Sequence, residues 1–253
     1  MEKQPFDIIE TVPSIYSTFE VLQYKPLELG DFYYSQNSGM RLKQVRIKLN
    51  NGAVMIEAGS LHFLKGQISM DNSMGGTKGL INKLTTSMLT NESLFKPVYT
   101  GQGEIYLEPS FHHFIPYELN NEEVIVDKGM FYCCDSAIHV GLATQKNISS
   151  AVKGGEGLFQ TKLSGTGICI LKSPVPYQEI VKLELDNERL QVDGNFALLR
   201  SGNIQFTVEK SSKSIIGSVT SGEGLLQTFT GTGTVWLAPT QFLYERANRN
   251  LQP

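Results

Sequence analysis

Apolar and polar positions alternate along most of this chain, and the alternation recurs in blocks. The segment Ile47-Lys-Leu-Asn-Asn-Gly-Ala-Val-Met-Ile-Glu57 returns as Tyr117-Glu-Leu-Asn-Asn-Glu-Glu-Val-Ile-Val-Asp127 and again as Leu183-Glu-Leu-Asp-Asn-Glu-Arg-Leu-Gln-Val-Asp193. Each copy approaches a polar pair by alternation (Asn50-Asn51, Asn120-Asn121, Asp186-Asn187) and resumes the alternation beyond it. Alternation puts every second side chain on one face of a strand, while Asn and Asp tolerate positive φ and bond their own backbone. The pattern predicts a β-hairpin turning at each polar pair.

A second block follows the first in each copy. It reads Asn91-Glu-Ser-Leu-Phe-Lys-Pro-Val-Tyr-Thr-Gly-Gln-Gly103, then Gly155-Glu-Gly-Leu-Phe-Gln-Thr-Lys-Leu-Ser-Gly-Thr-Gly167, then Gly222-Glu-Gly-Leu-Leu-Gln-Thr-Phe-Thr-Gly-Thr-Gly233. The glycine pairs Gly101/Gly103, Gly165/Gly167 and Gly231/Gly233 mark a structural turn or a close backbone approach that needs positive φ. Strand continues in Phe196–Leu199 and in Ile204–Val208, where Ile204, Phe206 and Val208 share a face. Ahead of each Glu lies a short helical signal: Leu80, Ile81, Leu84 and Met88 with Thr77 as a cap, and then the pairs Ile148/Val152 and Ile215/Val219.

Two blocks recurring in the same order make a threefold internal repeat. The division is an N-terminal extension over 1–42, repeat one over 43–112, repeat two over 113–178, and repeat three with a C-terminal tail over 179–253. Within the extension, Phe19–Tyr24 is expected to add a strand and Gln36–Gly39 to form a loop. Mostly-β units of roughly 66 residues bury too little surface alone and are expected to pack side by side. Tandem β units leave open edges in repeats one and three, which template pairing unless blocked or used. Repeat one has covers in its helix over 78–90 and in the extension. Repeat three has only the tail, where Phe242, Leu243 and Tyr244 look like contact residues. The expectation is a closed homo-oligomer, a homotrimer, joined head to tail.

Composition narrows the setting. Charged residues make up 19% of 253, and the formal net charge is −3; this excludes a disordered chain and a strongly basic nucleic-acid binder. Three cysteines, two of them adjacent, give no disulfide framework and fit a reducing compartment. The N-terminal residues lack the basic start and apolar run of a secretory signal and the arginines of a transit peptide, and no apolar run approaches a membrane span. The expected location is cytoplasmic.

The residues that carry a family resemblance are Ile56-Glu-Ala-Gly-Ser-Leu61, Gly154-Gly-Glu-Gly-Leu-Phe159 with Leu163-Ser-Gly-Thr-Gly167, and Ser221-Gly-Glu-Gly-Leu225 with Gly231-Thr-Gly-Thr-Val-Trp236. Over about residues 43 to 238 the chain resembles the AIM24 (altered inheritance of mitochondria) family, as a bacterial-type member of unknown function. The resemblance implies an all-β fold of three tandem units like the subunits of the tryptophan RNA-binding attenuation protein, a short double-stranded β-helix type with short helical turns. It also implies ring assembly, and it supplies no catalytic residues. Eukaryotic members are linked to mitochondrial inner-membrane organisation. This chain departs from them in lacking a transit peptide, and repeat one has Asn91-Glu-Ser93 in place of Gly-Glu-Gly.

The chemistry-bearing residues are few. Of the histidines His62, His112, His113 and His139, the adjacent pair His112-His113 would point to opposite faces of a strand, so no metal site is expected. Cys133 and Cys134 follow Phe131-Tyr132 in an apolar strand and read as buried inert thiols. The Gly-rich blocks lack the Lys-Ser/Thr of a nucleotide loop, and no Ser-His-Asp order or nucleophile elbow is present. Glu92, Glu156 and Glu223 recur once per repeat. They serve either as local turn acceptors or, converged on an axis, as an ion or partner site. No catalytic residue, metal or cofactor is expected.

The functional expectation is a non-enzymatic ring-forming scaffold or adaptor whose main partner is itself, with a peripheral membrane or protein partner besides. The alternative is a ring that binds RNA or a small ligand. An RNA ring needs evenly repeated basic residues, and Lys65, Lys128 and Arg200 are unevenly placed, so no nucleic acid is favoured.

Overall fold

The computed structural model of the chain describes residues 4–25, 40–71, 96–143, 160–210 and 225–249. It is all-β, with one α-helix among the described residues. The strands are β1 (Phe6–Pro13), β2 (Ser17–Tyr24), β3 (Lys43–Ile56), β4 (Leu61–Asp71), β5 (Val98–Leu107), β6 (His113–Val126), β7 (Phe131–Asp135), β8 (His139–Ala143), β9 (Gln160–Ser173), β10 (Val181–Asp193), β11 (Ala197–Lys210) and β12 (Leu225–Leu237). A short 3₁₀ turn spans Tyr177–Glu179, and helix α1 spans Gln241–Arg249. All strands join one large antiparallel sheet. The expected strand over Phe19–Tyr24 lies within β2, which pairs with the first half of β3. The predicted helix over 78–90, the helical signals near 148–152 and 215–219, and the loop over 36–39 lie outside the described residues.

One pairing pattern occurs three times. A long strand pairs with the glycine-bearing strand of its unit, which pairs on its other edge with the strand between them: β3–β5–β4, β10–β12–β11, and β6–β9 with β7 and β8 sharing the last place. The polar pairs do not turn hairpins. β3, β6 and β10 run straight through them, and the register slips by a bulge at each: between Asn50 and Gly52, Asn120 and Glu122, and Leu185 and Glu188. Asn51, Asn121 and Asn187 take the left-handed conformation, with φ of 51°, 54° and 55°. The extra residue has a purpose in packing. Leu49 and Val54 stand an odd number of positions apart and would face opposite ways in a regular strand, yet both are buried in one core.

The glycine pairs lie opposite these bulges, inside β5, β9 and β12, so they are not turns. Their φ values run from 123° at Gly165 to 152° at Gly103 and Gly233, a region closed to other residues. The requirement is the close approach. A Cβ on Gly233 would sit 2.1 Å from the Ser201 carbonyl oxygen, and one on Gly101 2.1 Å from that of Gln67. The middle residue of Gly-Thr-Gly completes the device. Thr166 Oγ1 accepts from the Asn121 N–H, and Thr232 Oγ1 from the Asn187 N–H, both at 3.0 Å. Bulge and glycine pair recur together because they are two sides of one bend.

Candidate functional site

Adjacent units are stitched by a short seam. The end of one long strand pairs with the start of the next unit's middle strand: Val54, Met55 and Ile56 against Asp135, Cys134 and Cys133, and Val124, Ile125 and Val126 against Ser201, Arg200 and Leu199. The seams set mostly buried apolar side chains beside Asp135, Arg200 and Ser201. Cys133 and Cys134 are 0% exposed and Leu199 is 3% exposed. Burial pushes the thiols of Cys133, Cys134 and Cys169 well up, so they stay protonated and behave as small apolar groups.

Asp135 and Arg200 both form side-chain hydrogen bonds at the seams, although Arg200 Nε is buried with no partner among the described residues. Asp135 accepts from Ser14 Oγ at 2.6 Å, Ser17 Oγ at 2.8 Å and the Ile168 N–H at 2.7 Å, tying the N-terminal strands to repeat two. At the second seam, Arg200 Nη1 donates to Gln160 Oε1 at 2.5 Å. Burial lowers the Arg200 guanidinium to about 10 against the opposing pull of Asp127.

The same seam is left open at both ends of the chain. By strand register, Leu190, Gln191 and Val192 on β10 correspond to Val54, Met55 and Ile56, while Phe63, Leu64 and Lys65 on β4 correspond to Cys133, Cys134 and Asp135. Among the described residues, β10 pairs only with β12, and β4 only with β5. Phe63 is 46% and Leu64 38% exposed where their counterparts are sealed. Phe63 is held against Tyr106 in a stacked pair at 4.2 Å. On α1, Phe242 and Leu243 are exposed, while Tyr244 packs on the core and donates to Glu179 Oε1 at 2.6 Å.

The other residues singled out in the sequence fall as follows. Glu92, Glu156 and Glu223 lie outside the described residues. Gly101, Gly103, Gly165, Gly167, Gly231 and Gly233 shape the bends behind the seams. His112 and His113 begin the second unit, His112 bonded through Nδ1 to Ser110 Oγ at 2.8 Å. Among the described residues, no group of three or more His, Cys, Asp or Glu side chains is disposed to hold a metal ion, and no helix is long and apolar enough to cross a membrane. Sequence reasoning missed Asp135, whose three donors come from distant segments, and Lys43. The latter carried a signal, because it stands in phase with Val45, Ile47 and Leu49 on the core face of β3.

The comparisons agree with this architecture. Protein SPYM3_0169 from Streptococcus pyogenes has a similar fold, with a TM-score of 0.58, 18% identity, and coverage of 92% of this chain and 99% of that one. A search of curated proteins finds no match to the sequence. The family description "Mitochondrial biogenesis AIM24" matches residues 34–240, which is most of the chain. With its paired bulges and glycine bends spread across that span, the chain belongs to the AIM24 family.

Proposed function

We propose that this protein is a non-enzymatic, self-assembling scaffold of the cytoplasm, built from three units of the attenuation-protein type and closed as a homotrimeric ring. The carrying observation is the seam formed twice within the chain and left open at β10 and β4. Docking β10 of one copy on β4 of the next copies the internal joint in register, Val192 opposite Phe63 and Leu190 opposite Lys65. It covers Phe63 and Leu64, and it satisfies two strand edges that otherwise template uncontrolled pairing. The absence of a reactive cysteine fits a role in assembly, since all three thiols are buried and protonated. Arg200, one of the basic residues weighed for RNA contact, is buried at a seam and unavailable to phosphate.

Light scattering on a sizing column tests the reading. The expected result at micromolar concentration is a species three times the 28.1 kDa chain mass, converted to monomer by Phe63→Glu, which places a charge in the joint. A monomer of the unaltered chain would reject assembly, and a dimer would reject the ring while keeping the edge contact.

A further inference from the structure

Lys43, His113 and Glu179 hold the same place in the three units, each the same distance ahead of its bulge residue Asn51, Asn121 or Asn187. They also come together in space. His113 feels both the Lys43 ammonium and the Glu179 carboxylate. Beside them opens a cavity of about 470 Å³, lined by Lys43 and His113 together with Glu10, Val21, Phe114 and Tyr177. That volume is in the range of small-molecule sites, ~300–1,000 Å³.

Its charge is unbalanced at one end. Lys43 is only 6% exposed, and its Nζ donates to the Arg41 carbonyl at 3.2 Å. Among the described residues no carboxylate lies within ion-pair distance of that ammonium. A buried cation without an anion is costly. Burial, with repulsion from Arg41, lowers Lys43 to about 8. His113 Nε2 is buried with no hydrogen-bond partner among the described residues, and burial lowers that ring to about 4. Glu179 does not fill the gap, because its carboxylate is engaged by Tyr244 Oη and Thr240 Oγ1. Glu10, on the lining, is pushed up by burial.

We propose that this cavity binds a small monocarboxylate with an apolar body. The carboxylate takes the Lys43 ammonium and a hydrogen bond from the His113 ring, and the apolar body lies on Val21, Phe114 and Tyr177. A single negative charge matches the single uncompensated ammonium. A dianion such as a phosphate ester would meet Glu10 on the same lining. The site stands apart from the open seams, so the oligomeric state neither supports nor weakens it.

Calorimetric titration of the full chain with octanoate, and with octylamine as the same body of opposite charge, decides it. Expected is saturable binding of one octanoate per chain, at least about tenfold tighter than octylamine, the worth of one charge-assisted bond. Lys43→Met fills similar space without charge and is expected to weaken octanoate by about tenfold or more at an unchanged circular dichroism spectrum. The unaltered protein gives a second readout. Arg41 acts on the ammonium, Glu179 and His112 act on the ring, Glu10 lies on the cavity lining, and Lys172 and Glu245 act on the neighbouring His112. With Lys43 at about 8, octanoate affinity should be level from roughly pH 6, where the ligand is fully ionised, up to that value and fall about tenfold per unit above it. No saturable binding, equal affinity for octylamine, or a level profile from pH 7 to about 10 would overturn the proposal. Displacement of octanoate by an equal concentration of inorganic phosphate would overturn the apolar part of it.

Discussion

Strand β6 of the middle unit and strand β10 of the third unit hold equivalent places, yet Ile115 on the first is 4% exposed and Val181 on the second is 43% exposed. Both strands carry an equivalent bulge opposite the glycine pair of their own unit, Gly165/Gly167 for β6 and Gly231/Gly233 for β10. The difference lies in what stands next to them. The core around Ile115 is closed by Leu198, Leu199, Trp236 and Ala238 of the following unit. Among the described residues, the core around Leu185, Val192 and Phe229 is made by the third unit. The ladders within the two units are alike, whereas the middle unit is also paired and buried by the unit that follows it, through the β6–β11 seam, and the third unit has no following unit among the described residues.

The largest separation between the two units is expected at their glycines. In the third unit β11 runs unbroken beside β12, and a Cβ on Gly233 meets backbone at 2.1 Å. In the middle unit that strand is split into β7 and β8, and a Cβ on Gly167 first meets the Asp135 carboxylate at 3.1 Å. Gly233→Ala is therefore expected to cost about 4 kcal/mol or more, combining backbone strain and overpacking, against about 2 for Gly167→Ala. Denaturant midpoints measure both, and equal costs would break the comparison.

Burial gives the next contrast. Ile115→Ala should cost about 3 kcal/mol, while Val181→Ala should cost under about 0.5 in protein diluted to monomer. The seam gives a smaller one. Asp135→Asn turns one accepting oxygen into an amide donor, so either the Ser17 bond or the Ser14 and Ile168 N–H bonds are lost, and it should cost about 2 kcal/mol, against roughly 0.5 or less for Ser201→Ala at the equivalent place. Urea melts at fixed chain concentration check both pairs.

The smallest contrast is one of pH. His113 in the middle unit titrates at about 4 when folded, below the ordinary 6.5, while Glu179 takes its place in the third. A base whose folded value is depressed contributes nothing above its unfolded value. Between pH 6.5 and 4 the unfolded chain takes up a proton that the native chain refuses, so stability falls as pH falls through that window, by about 1–2 kcal/mol after allowance for its partial exposure. Replacing His113 by Gln should remove that slope, as read from melting temperature against pH. A slope identical in the variant would move the cause elsewhere.

Much of this was legible in the residues. Alternation marked the strands, and the co-occurring blocks marked the bends. The hairpin expectation failed for a physical reason. An Asn at positive φ serves a turn and a bulge equally well, and only the glycine pair on the facing strand decides that the chain continues. Lys43 was visible as a lysine in phase with core valines and leucines, but its meeting with His113 and Glu179 depends on how the three units are set against one another. The open seams were foreseen as open edges, without the register that names Val192 and Phe63 as opposites.

That register is the most direct test of assembly. By the internal joints, Gln191 of one copy should lie opposite Leu64 of the next, and the native thiols are all buried and do not interfere. Chains carrying Gln191→Cys are mixed with chains carrying Leu64→Cys under mild oxidation and run on a non-reducing gel. The expected result is a covalent dimer that contains one chain of each kind, absent when either is oxidised alone. With both substitutions in one chain, covalent trimers should appear. A double variant whose engineered thiols disappear while the chain stays monomeric would show that β10 closes on β4 of its own chain, and it would contradict assembly through these edges.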